Sequence, residues 1–132
     1  MAADGLTIWV SDSGNSRISI WTRPDATSAN WANQTTFGSF GTGPTNLKLA
    51  DGVWASSDGL SAWVADTGNH RVSIWTRASA TSTTWDHLDN LGSYGSTTSE
   101  FAQPRSVVVA SDGLTAWIGD YSNNRVSIWT QS

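Results

Sequence analysis

The chain has no cysteine. That excludes a disulfide framework, a thiolate nucleophile and any thiolate-ligated metal. It also has little charge: 14% of its 132 residues are Asp, Glu, Lys or Arg. Only seven are Lys or Arg, and these are scattered, so no basic patch can neutralise consecutive phosphates. Neither nucleic acid nor a membrane surface is expected as a partner. No apolar run approaches the roughly 18 residues of a spanning helix. The opening MAADG has neither a charged nor an apolar leader segment, so no signal peptide is expected, and the compartment stays open. Proline is scarce, at three residues, and no segment combines helical periodicity with caps. The chain is nevertheless not disordered. It carries nine Trp, twelve Gly and many Val and Ile, with a net charge of −4.

These aromatics recur at a fixed interval. Asp4–Thr22 reads DGLTIWVSDSGNSRISIWT, Asp58–Thr76 reads DGLSAWVADTGNHRVSIWT, and Asp112–Thr130 reads DGLTAWIGDYSNNRVSIWT. Trp21, Trp75 and Trp129 are 54 apart (75 − 21 and 129 − 75), and eleven of the nineteen aligned positions are identical in all three copies. Such a period marks an array of units that bury their apolar faces only against one another.

Each unit reads as strands and turns. Leu6–Ser11, Leu60–Ala65 and Leu114–Gly119 are short and rich in Trp and Val, while Arg17–Thr22, Arg71–Thr76 and Arg125–Thr130 alternate apolar and polar. Asp, Asn and Gly between them predict a hairpin turn. Asp-Gly at 4–5, 58–59 and 112–113 predicts a tight turn from a preceding strand, Gly52–Ala55 or Ser106–Ala110. A fourth strand is expected around Trp31–Phe40 and Trp85–Tyr94. With the strands of a unit named a to d in chain order, the chain reads b-c-d, a-b-c-d, a-b-c. Four antiparallel strands per repeat predict an all-β fold of β-propeller blades, about 2.5 per chain. The organisation is a partial blade in 1–41, a full blade in 42–95 and a partial blade in 96–132.

The motifs resemble the NHL-repeat family of β-propellers. The resemblance rests on Phe37-Gly-Ser-Phe-Gly41, Gly52-Val53, Val64-Ala-Asp-Thr-Gly-Asn-His-Arg-Val72 and Ile74-Trp75. It rests again on Leu91-Gly-Ser-Tyr-Gly95, Phe101-Ala-Gln-Pro104, Ser106-Val-Val-Val-Ala110 and Gly119-Asp-Tyr-Ser-Asn-Asn-Arg-Val126. It covers nearly the whole chain. The repeat departs from the family pattern in its length, through the Ser/Thr/Ala-rich c–d connections Arg23–Asn30 and Arg77–Thr84. It departs again at Ala50 and Asp51, which stand where the third copy has Pro104 and Arg105. The resemblance implies a propeller and a binding role, and transfers no particular activity.

Candidate sites follow from what repeats and what does not. Asp12, Asp66 and Asp120 recur with Arg17, Arg71 and Arg125; a ring of carboxylates could hold a cation. A framework residue repeats where a catalytic one is unique, so the pairs read as structural. Trp9, Trp63, Trp117, Trp21, Trp75 and Trp129 recur inside strands and read as packing between blades. Trp31 and Trp85 lie in polar surroundings, are expected to be exposed and are further candidate ligand contacts. Trp54 has Val108 as its counterpart, which makes it a candidate ligand contact near the channel. His70 reads as a polar turn residue. Asp86, His87 and Asp89 form at most a partial metal set, since Ala32, Asn33 and Thr35 stand at their equivalents. Asn33-Gln34-Thr35 is a glycosylation sequon. No phosphate loop, nucleophile elbow or HExxH motif occurs.

The expectation is therefore no enzyme, no cofactor and no metal. It is a propeller module for binding or scaffolding, incomplete in one chain and completed by copies of itself. Three chains each contributing two blades, or two each contributing three, would give a six-bladed ring. Complementation without closure would give a filament; the closed ring is the preferred reading. Two other expectations are a carbohydrate-binding propeller, with Trp between its blades, and a protein ligand.

Overall fold

A computed structural model describes residues 4–131. The described residues form ten strands in three antiparallel sheets, with no helix beyond single 3-10 turns. The first sheet holds β1 (Thr7–Asp12), β2 (Arg17–Thr22) and β3 (Ala32–Phe37) in that order. The second holds β4 (Val53–Ala55), β5 (Ser61–Asp66), β6 (Arg71–Thr76) and β7 (Asp86–Leu91). The third holds β8 (Pro104–Val109), β9 (Thr115–Asp120) and β10 (Arg125–Thr130), with β10 at its edge. The all-β architecture and the b-c-d, a-b-c-d, a-b-c order expected from the repeat are present.

The turns obey local chemistry. In the turn before strand b, Gly5, Gly59 and Gly113 take φ of +72°, +73° and +74°, where a Cβ would strain the backbone. In the second copy the Asp58 carboxylate accepts the Leu60 N–H at 2.9 Å. Between strands b and c the connection is a 3-10 turn over Ser13–Asn15, Thr67–Asn69 and Tyr121–Asn123. The left-handed residue there is not the glycine of the motif. It is Ser16, His70 and Asn124, whose N–H groups bond back to the first carbonyl of the turn. In the third sheet, strand a begins at Pro104, earlier than the alternation suggested. A bulge between Pro104, which pairs with Asp120, and Ser106, which pairs with Gly119, leaves Arg105 outside the register.

The core lies between sheets. Trp9, Ile18, Ile20 and Phe37 on the forward face of the first sheet meet Ala62, Val64, Trp75 and Trp85 on the rear face of the second. Across the next interface, Trp54, Trp63, Val72 and Leu91 of the second sheet meet Val107, Val109, Ala116 and Ile118 of the third. Phe101 joins this second core from the loop before β8. Among the described residues, only the middle sheet is covered on both faces.

Candidate functional site

The recurring Asp–Arg pairs lie where strands b and c close on the 3-10 turn, as the register partners Asp12↔Arg17, Asp66↔Arg71 and Asp120↔Arg125. Each arginine Nε donates to its aspartate, at 2.7, 2.8 and 2.9 Å respectively. Asp66 also accepts from the Lys48 N–H at 2.7 Å and from Asn69 Nδ2 at 2.9 Å, while Arg71 Nη2 donates to the carbonyls of Gly43 and Asn46. These bonds tie the hairpin to the loop that enters its own sheet. The lone pairs are taken by protein donors, and the three carboxylates sit in three separate sheets. Asp12 titrates below its ordinary value, first because Asn15 donates to it and then because Arg17 does. Among the described residues no three potential metal ligands converge. Asp86, His87 and Asp89 sit along β7, where His87 Nε2 lies 3.0 Å from Asn90 Oδ1 and Asp89 accepts the Asn90 N–H.

The tryptophans divide differently from the sequence expectation. Trp85, expected to be exposed, is 8% exposed and belongs to the first core. Its ring lies 5.0 Å from that of Phe37 in the preceding sheet, and the Arg77 guanidinium covers its outer face at 4.8 Å. The polar segment around it misleads because part of its cover, the Phe37 ring, comes from another repeat. Trp31 is only half-buried, with Arg23 over its ring at 4.7 Å and no sheet behind it. Trp54 is half-buried on β4, opposite Trp63 in register. A further regularity escaped the sequence reading: Ser-Ile-Trp in strand c lets each serine hydroxyl accept the indole N–H of Trp21, Trp75 and Trp129. His70 Nδ1 accepts the Gln103 N–H at 3.0 Å across an interface, which ties a turn of the second sheet to the third.

Trp54 lines a cavity of about 680 Å³ between the second and third sheets. Trp63, Trp129, Ile74 and Leu91 form its apolar walls. Asp89 and Asp112 bring two carboxylates to its rim, and no Lys, Arg or His lines it. The matching space in the first interface is full. By the 54-residue offset, the walls Trp63, Ile74, Leu91, Trp129 and Gly113 correspond to Trp9, Ile20, Phe37, Trp75 and Gly59. Among those residues sit Trp85 and Arg77, the latter donating to Gly59 O at 2.8 Å, Ser82 O at 3.2 Å and Gln34 Oε1 at 2.9 Å. Burial lowers the pKa of the Arg77 guanidinium, which bonds to neutral oxygens only. Gln131 stands at the counterpart of Arg77 (77 + 54). The cleft is therefore a binding-sized, aromatic and acidic space whose twin in the same molecule shows what chemistry fits it.

No family model and no curated protein matches the chain. Solved structures match its fold over its full length. It is similar to the β-propeller domain of Myceliophteria thermophila Cps50 (Swd1), at TM-score 0.72 and 14% identity, over 39% of that chain. It is similar to the Pseudomonas aeruginosa periplasmic gluconolactonase PpgL, at 0.73 and 10%, over 34% of that chain. A putative 6-phosphogluconolactonase from Bacteroides fragilis matches at 0.73 and 13%, over 33% of that chain. The chain thus spans a third to two fifths of these propellers. The likeness concerns fold: the three sheets are arranged as part of a β-propeller.

Proposed function

We propose that this chain is a non-catalytic binding and scaffold module of the NHL-repeat propeller type, whose end sheets are covered by a second copy of the chain. One observation carries the reading: the two outer faces of the molecule are the two halves of an interface that the molecule already makes twice. The forward face of the third sheet presents Trp117, Val126 and Ile128, exposed at 40%, 65% and 63%. Their counterparts Trp9, Ile18 and Ile20 in the first sheet are buried against the second, and Val72 and Ile74 are likewise buried. The rear face of the first sheet presents Ile8, Val10 and Trp21, where the second and third sheets bury Ala62, Val64, Ala116 and Ile118. A surface that buries these residue types inside the chain has a ready partner in another copy, and an exposed apolar face of this kind marks an interface.

The β1–β2 hairpin pairs with β3 and packs on the second sheet, which favours three sheets per copy over donation of β3 to another chain. Two copies would then stack six sheets in a closed ring. The repeated Asp–Arg pairs support a module without catalysis, because the carboxylates that recur are each committed to an arginine, and Asp86, His87 and Asp89, which do not recur, do not converge as a ligand set among the described residues. The test is a charge on the free face. Val126→Glu with Ile128→Glu should abolish self-association in sedimentation velocity while leaving the β-type circular dichroism spectrum intact. An unchanged sedimentation coefficient for an associated wild type would refute the stacking.

A further inference from the structure

Two loops join one sheet to the next, and each carries an exposed aromatic at the same repeat position. Phe40 lies between the first and second sheets and Tyr94 between the second and third, and both are 72% exposed. The exposure belongs to the repeat, because each loop has a sheet on either side of it. Each loop is tied to the b–c turn of the sheet it enters, through Asn69 Nδ2 to Gly41 O at 3.0 Å and Asn123 Nδ2 to Gly95 O at 2.8 Å. Tyr94 is further held from the second sheet, where the His70 ring meets it edge-on at 4.7 Å. Its backbone is pinned on both sides: Gly95 N–H donates to Phe101 O at 3.0 Å, and the N–H of the fully buried Phe101 donates to Ser93 O at 2.8 Å. The ring is therefore a fixed platform.

The polar groups beside this platform do not repeat. His70 and Gln103 stand where the first loop and its turn have Leu49 and Ser16: Ser16 for His70, Leu49 for Gln103. His70 Nδ1 accepts the Gln103 N–H, which leaves the ring proton on Nε2. Gln103 Oε1 accepts the Ser122 hydroxyl at 2.9 Å, which leaves its amide N–H groups as donors. Two donors are thus oriented by bonds made at the other end of the same side chain. Among the described residues neither has an acceptor, and none of Tyr94, His70 and Gln103 enters an ion pair.

We propose that Tyr94, His70 and Gln103 form a subsite for an uncharged pyranose ring of the β-glucose type. Such a ring carries its hydroxyls at the equator and presents flat C–H faces, which suit an exposed amphipathic phenol. His70 Nε2–H and the Gln103 amide would then donate to hydroxyl oxygens at the edge of the sugar. A small number of fixed polar groups around an apolar surface is what orients a small ligand. The donors pair with no carboxylate and no cation, which fits a ligand without charge. The first loop supplies the comparison. Phe40 keeps the platform, but Leu49 donates nothing from its side chain and Ser16 is buried, so that loop should bind the sugar far less. The inference rests on the binding role proposed above and not on the association of copies, and it uses neither an outer sheet face nor a strand edge.

The experiment titrates cellohexaose into the isotope-labelled whole chain and follows backbone amide shifts by nuclear magnetic resonance. Saturable shifts centred on Tyr94, Gly95, His70 and Gln103 are expected. Tyr94→Ala should weaken binding by about tenfold or more, as for a central aromatic anchor. Tyr94→Phe installs the residue found at Phe40 and should change it little. His70→Ser and Gln103→Leu install the residues of the first loop and turn. Ser16 and Leu49 already hold the same left-handed backbone there, at φ +54° and +50°, so the fold is retained and affinity should fall several-fold in each. No saturable binding to folded protein would overturn the proposal. So would undiminished binding by Tyr94→Ala, shifts confined to the cleft around Trp54 and Trp63, or tighter binding of trigalacturonic acid than of cellohexaose. A proline-rich peptide that binds this face where cellohexaose does not would also overturn it. Sedimentation of the same protein keeps the two proposals apart. An associated chain that ignores the sugar refutes the sugar site alone, and a monomer that binds it refutes the stacking alone.

Discussion

The three Asp–Arg pairs offer a stability test with internal controls. They share one geometry, with Nε–Oδ2 distances of 2.7 to 2.9 Å, so distance cannot rank them. Their surroundings differ. Side-chain exposure of arginine and aspartate is 44% and 29% for Arg17–Asp12, 30% and 0% for Arg125–Asp120, and 11% and 0% for Arg71–Asp66. Arg71→Ala removes the charge facing a fully buried carboxylate and deletes the donors to Gly43 O and Asn46 O. Breaking one partner of a buried pair costs about 3–5 kcal/mol, because the other charge stays desolvated. At the few degrees per kcal/mol of a domain this long, Tm should fall on the order of 10–20 °C. Arg17→Ala should hardly move it, since water replaces the arginine at an exposed aspartate. Arg125→Ala should fall between, because Asp120 is as buried as Asp66 but its arginine is wetter. The assay is thermal unfolding by circular dichroism at one protein concentration. Equal losses in all three variants, or the largest loss at Arg17, would refute the claim that burial sets the strength of each pair.

Arg77→Ala should destabilise the chain by about 2–3 kcal/mol, because buried carbonyls lose their donor and Trp85 loses its cover; Arg77→Lys should recover little, measured by urea unfolding. Gly92 takes φ of +83° with Phe101 directly where a Cβ would stand. Gly92→Ala should therefore cost about 2 kcal/mol or more, whereas Gly14→Ala, which meets open space, should be close to neutral in the same melts. Asp12, Asp25, Asp58 and Glu100 all titrate below their ordinary values of 3.8 for Asp and 4.5 for Glu, chiefly through hydrogen bonds from Asn15, Thr27, Ser56 and Thr97. The folded state then binds fewer protons than the unfolded one in acid. The stability these groups contribute is complete above the ordinary values and is lost as pH falls through the lower folded ones. A Tm that rises on acidification below pH 4 would contradict this.

What could be read from the sequence was whatever lies within one repeat. Alternation in Arg71–Thr76 located a strand, Asp58-Gly59 a turn, and the recurrence of Asp66 with Arg71 a hairpin clasp. Each of these depends on neighbours a few residues away. The fate of Trp85 and the cleft beside Trp54 depend on neighbours in the adjacent sheet. Trp85 looks exposed beside Thr84 and Asp86, yet Phe37 of the adjacent sheet packs on it. Trp54 could be singled out by its mismatch with Val108, but the cavity could not, because its walls come from two sheets. The left-handed residue of the b–c turn was not legible either: Ser16, His70 and Asn124 share a backbone role that their side chains do not advertise.

The most direct measurement is the native mass of the unmodified chain at micromolar concentration. One chain is 14.1 kDa, so two stacked copies closing six sheets give 2 × 14.1 = 28.2 kDa. A single species at that mass, unchanged on dilution to low micromolar, is the predicted result. A stable 14.1 kDa monomer would mean that the exposed faces of the first and third sheets do not find each other, and a ladder of ever larger masses would mean that the contact forms without closing the ring.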